Sequence, residues 1–183
     1  MTRQWSSWRR LRLLCLVLCL IAAESRAQTS KSAALAQEVA QAFSNAKLGA
    51  FAAPVPDRPD EFVAALYIEG SQLLVVSARY SVPMVLMEHL QKKEYQEVYL
   101  ELNGAALPDT KVFIEDQGAD GLQPDRKNAL FDSYLGSSKR VDFDGDSRRQ
   151  KMSEEEYTKT FVAADENYAR ILTVLLAGLK KGS

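Results

Sequence analysis

Ser77, Arg79 and Ser81 stand at alternate positions where an apolar run gives way to a helical pattern. A helix N-terminus offers free N–H groups and partial positive charge. Two hydroxyls and a guanidinium beside it could hold a phosphate or a carboxylate. A plain cap at Ser81 and a surface ion pair at Arg79 account for the same residues. Asp142, Asp144 and Asp146 form a second set, because three carboxylates at alternate positions are how calcium loops begin. The EF-hand spacing asks for glycine at 147 and glutamate at 153, where this chain has Ser147 and Ser153. Asp116 and Asp120 could add ligands from another loop. Two polar turns, with Asp-Gly supplying positive φ, are the structural alternative. His89 is the only histidine and lies beside Leu86 and Leu90. Alone, it cannot build the common zinc sites. No Gly-x-Ser-x-Gly, Gly-rich phosphate loop or His-Glu-x-x-His occurs. Tyr67, Tyr80, Tyr95 and Tyr99 gather around one strand–helix–strand unit and could line a binding face. Half-exposed sheet tyrosines look the same in sequence.

The elements that must position these residues follow a leader. Arg3, Arg9, Arg10 and Arg12 form a basic head, Leu13 to Ala23 is an unbroken apolar run, and Ser25-Arg26-Ala27 precedes Gln28. This is the layout of a secretory signal peptide cleaved between Ala27 and Gln28. The run has 11 residues, whereas a spanning helix needs about 20, so no stable membrane anchor is expected after cleavage. The pair Arg9-Arg10 loosely resembles a twin-arginine signal, but the very hydrophobic run favours the general secretory route.

Removing 1–27 takes five of 23 basic residues and one of 24 acidic residues, leaving 18 against 23. That mild acidity, with no large basic patch, excludes phosphate-backbone binding and nucleic acid as a partner. Cys15 and Cys19, and Trp5 and Trp8, leave with the leader. The remaining chain therefore has no disulfide, thiolate or Cys-ligated metal chemistry. Residues 28–183 are the length of one domain.

Within that domain, 31–50 reads as a helix capped by Ser30 or Ser32, with Leu35, Val39, Ala42, Phe43 and Ala46 on one face. Pro54, Pro56 and Pro59 make 53–59 an extended connector. The runs 62–68 and 73–78, separated by Gly70-Ser71, read as a hairpin covered on both faces. A helix over 82–93 and strands over 96–103 and 111–115 follow. Residues 116–150 read as a long irregular polar segment, with one possible short strand at 141–143. Ser153 opens a capping box for a last helix over 154–180, whose buried stripe is Tyr157, Phe161, Ala164, Tyr168, Leu172, Leu175, Leu176 and Leu179. The expected fold is α+β: an antiparallel sheet of four to five strands with three flanking helices, in the order α-β-β-α-β-β-(β)-α.

The segment Leu73 to Leu100 (LLVVSARYSVPMVLMEHLQKKEYQEVYL) resembles the strand, small-and-basic turn, helix and strand of split-barrel flavin proteins related to pyridoxamine phosphate oxidase. That resemblance implies FMN, with Ser77, Arg79 and Ser81 at its phosphate. The element order is also similar to the roadblock and profilin-like layout, which implies a dimerising or scaffold module. The whole chain resembles small secreted bacterial proteins.

Together these readings point to an exported, soluble, non-enzymatic binding or interaction domain. It would be periplasmic or extracellular and would engage a protein or small-molecule ligand, with a homodimer as a further possibility. No cofactor is expected; FMN at the Ser77 corner and calcium at Asp142, Asp144 and Asp146 are the alternatives.

Overall fold

The computed structural model describes residues 30–79, 110–123, 132–136, 140–143 and 151–182, together with Lys92 and Glu94. The leader with Ala27 and Gln28, the strand expected over 96–103, and Tyr80, Ser81, His89, Tyr95, Tyr99, Asp144 and Asp146 lie outside the described residues. So does the helix expected over 82–93, apart from Lys92, which is helical.

Helix α1 spans Lys31–Ala46 and buries Ser32, Ala36, Val39 and Phe43, one stripe at three- and four-residue spacing. It is shorter than the expected 31–50. Lys47 takes the left-handed conformation (φ 52°) and returns its N–H to the last helical turn, so the chain leaves the helix before Gly49.

Six strands follow: β1 Ala50–Val55, β2 Arg58–Ile68, β3 Gln72–Arg79, β4 Thr110–Gln117, β5 Asp132–Leu135 and β6 Arg140–Asp142. They pair in chain order, every pair antiparallel. Helix α2, Glu154–Gly182, closes the described chain. The class is the expected antiparallel α+β.

Two details are corrected. The stretch 53–59 is not a connector. Pro54 lies in β1, at one end of the strand order, where a missing N–H removes no ladder bond on its outer side. Pro56 and Asp57, the latter at φ 61°, turn the chain into β2. The described sheet has six strands against the expected four to five. The segment 116–150 holds the short strand expected at 141–143, as β6, and in addition β5, hidden by polar residues such as Asp132 and Ser133 that are fully buried and hydrogen-bonded.

Side chains of β2 and β3 alternate between two buried faces, as expected of the hairpin. Val63, Ala65, Leu73, Val75, Val112 and Ile114 join α1 and α2 in the larger core. Phe62, Ala64, Leu66, Leu74, Val76 and Phe113 form the second cluster, to which neither described helix contributes. All eight residues of the expected α2 stripe are buried. Phe143 anchors the chain before α2: its ring meets Phe161 edge-on at 5.3 Å and Tyr157 at 5.8 Å. The Ser153 hydroxyl accepts the Glu156 N–H at 3.1 Å, as the capping box requires.

Candidate functional site

At one end of the sheet, three buried carboxylates organise the backbone. Asp116, near the end of β4, shares the helix-covered face with Val112 and Ile114 and is fully buried. One of its oxygens accepts the Asp120 N–H at 3.1 Å. The other accepts the Gly121 N–H at 2.9 Å and the Tyr168 hydroxyl at 2.8 Å. Asp132 lies opposite Asp116 on β5. Its carboxylate accepts the N–H groups of Gln117 (3.2 Å) and Gln123 (2.7 Å), and its carbonyl accepts that of Phe143 (2.7 Å). The turn 118–123 is therefore fixed at both ends.

The third carboxylate is Asp165 of α2. It accepts the Ser30 hydroxyl (2.7 Å) and the N–H groups of Lys31 (2.7 Å) and Ser32 (3.0 Å). These are free donors of the first turn of α1, so the cap expected from Ser30 or Ser32 is supplied by another helix; Ser30 makes no side-chain cap bond. The Ser32 hydroxyl instead accepts the Leu122 N–H at 3.0 Å, linking α1 to the turn. A carboxylate withdrawn from water is tolerable only with such partners.

Burial pushes the Asp116 carboxyl up to about 6 from its ordinary 3.8, the Tyr168 hydroxyl and the two N–H groups pulling the other way. Burial and the Asp116 charge push the Tyr168 phenol well above its ordinary value. A raised carboxyl is a feature of general acids, but this one is fully buried.

Glu115 points to the opposite face. Its carboxylate accepts Gln72 Nε2 (2.5 Å), Arg140 Nη2 (2.6 Å), and Gln117 Nε2 and Ser133 Oγ (3.4 Å each). Arg140 also reaches Asp142 at 3.4 Å. A hub of this kind ties β3 to β6 across the sheet.

Of the anion corner, Ser77 is buried in β3 opposite Val63 and Val112, with no hydrogen-bond partner for its hydroxyl among the described residues. Arg79, at the end of β3, is exposed. Of the calcium set, only Asp142 is described, and it pairs with Arg140. Asp116, its proposed helper, faces the turn's N–H groups. Among the described residues no three His, Cys, Asp or Glu side chains are grouped to hold a metal ion. Tyr67 packs its ring 5.6 Å from Phe43.

Asp132, Asp165, Glu115 and Arg140 escaped the sequence reading. A signal existed for Asp165: four residues after Phe161 and three before Tyr168, it lies on the apolar stripe of α2, where an acid needs a buried partner. No protein-family model matches the chain, and no curated protein or solved structure matches it either.

Proposed function

We propose that this chain is an exported, non-enzymatic binding domain that presents the 118–123 turn to a protein or small-molecule partner. The observation that carries the reading is the fixing of that turn by Asp116, Asp132 and Ser32. A loop held in shape beforehand loses less conformational freedom on association, and binding residues concentrate on loops set by rigid scaffolds. Gly118 is exposed, while Asp120 and Gln123 are half-buried, so the turn has a face to offer. Export is supported by the basic head, apolar run and small residues of 1–27. Removing 1–27 leaves every bond from Ser30, Lys31 and Ser32 to Asp165 in place.

The reading is tested with a photo-crosslinker at Gln123 and, as a control, at exposed Lys181. The probes are placed in the protein recovered from outside the cytoplasm of an expressing bacterium. A defined adduct formed only from Gln123 supports it. Identical patterns from both positions, or protein retained inside the cell with residues 1–27 attached, overturn it.

The Ser77 hydroxyl, without a partner among the described residues, favours a second reading, in which Ser77, Arg79 and Ser81 hold FMN or another anionic cofactor. A visible absorption spectrum separates the two. Flavin bands that survive purification support the cofactor; a colourless protein that ignores added FMN removes it.

A further inference from the structure

We propose that Asp116 is a proton-operated latch between the 118–123 turn and helix α2. In its ionised form the carboxylate accepts from both partners at once: the Asp120 and Gly121 N–H groups of the turn and the Tyr168 hydroxyl of α2. These partners respond differently to a proton. A tyrosine hydroxyl is both donor and acceptor, so it can rotate and accept from a protonated carboxyl. A backbone N–H can only donate. Proton uptake therefore preserves the link to α2 and weakens the link to the turn.

Burial is the main cause that favours proton uptake at Asp116, and the Asp120 carboxylate on the turn adds to it, so its carboxyl is raised to about 6. Asp132 lies opposite on β5 and Asp165 one helical turn before Tyr168 on α2; both of these carboxylates are held by backbone N–H groups. Helix α1 contributes Ser32, which does not titrate here, and β3 sets the apolar Leu73 opposite Asp116. The latch depends on this geometry and stands whether or not the turn has a partner.

The test is a nuclear magnetic resonance titration of the purified protein, following the Asp116 carboxyl carbon and the Asp120 and Gly121 amides together. All three should share one midpoint near 6. Amide exchange at Asp120 and Gly121, corrected for intrinsic rates, should be about tenfold faster below that midpoint, the effect of one lost hydrogen bond. Tyr168→Phe removes a bond that favours the ionised form, so the midpoint should rise. Asp116→Asn should abolish the amide response. An Asp116 midpoint in the ordinary range near 3.8, or turn amides that do not follow Asp116, overturns the latch. Both readings come from the unaltered protein, so a variant that fails to fold does not obscure the result.

Discussion

Tyr168 donates its phenolic hydrogen to Asp116 at 2.8 Å, joining the last helix to a strand residue 52 positions earlier, with both side chains fully buried. The pair is polar chemistry inside an apolar core, and it makes the domain's stability depend on pH in an unusual direction.

The folded Asp116 carboxyl is raised to about 6 against 3.8 when unfolded. A raised folded value means that the native state binds the proton more tightly. The contribution of Asp116 is therefore fully present below pH 3.8 and lost as pH rises through about 6. The difference is worth about 3 kcal/mol at most. Lowering the pH from neutral towards 4 should raise the melting temperature through this group, opposing the usual acid loss. Asp116→Asn should flatten that rise; an identical pH profile in the variant would count against the assignment.

Asp165→Ala should destabilise the protein by about 2 kcal/mol, because it removes the cap of α1 and strands the buried Ser32 N–H and the part-buried Lys31 N–H. Chemical denaturation measures the change. Lys31→Ala, which removes only the exposed pair with Glu166, should stay within about 0.5 kcal/mol.

Gly121 and Gly70 both have positive φ, at 87° and 70°, yet should respond differently to alanine. A Cβ at 121 would lie 2.5 Å from the Ala33 Cα, a backbone atom that cannot step aside, whereas nothing lies within 4 Å at 70. Gly70→Ala should cost about 1 kcal/mol from conformation alone. Gly121→Ala should cost several times that and displace the turn from α1. Melting curves of the two variants, run side by side, decide the ranking.

Ser77→Ala should leave the melting temperature unchanged or raise it, since a buried hydroxyl without a partner opposes folding. Weakened FMN binding in this variant would instead assign the hydroxyl to a ligand.

Calcium and chelator should leave the melting temperature unmoved. Asp142 is already paired with Arg140, and an ion bound only by the native state would have to raise stability. A calcium-dependent rise would restore the metal reading.

Where periodicity and burial coincide, the sequence was readable. The α2 stripe from Tyr157 to Leu179 repeats at helical spacing, and all of it is buried. The hairpin of β2 and β3 was readable because both faces are apolar. β1 was obscured because Pro54 and Pro56 read as breakers, and only the three-dimensional order shows β1 at an end of the sheet. β5 was obscured because it is four residues long and begins with a buried aspartate. Asp116 and Asp120 read as oxygen donors in sequence, but a lone segment cannot show that Asp116 faces N–H groups rather than a cation. Ser77 and Arg79 share one strand, yet one is enclosed and the other exposed, a difference set by neighbouring strands.

The clasp of Asp165 on Ser30, Lys31 and Ser32 has a consequence for the order of assembly. The residues that begin the domain and the one that completes their hydrogen bonding are about 135 positions apart. As a ribosome releases the chain, α1 emerges early and stays uncapped until nearly all of the sequence has followed. Contacts this distant close late and slow the completion of the fold. Under the proposed export, that delay would serve threading, because the first helix waits for the last one.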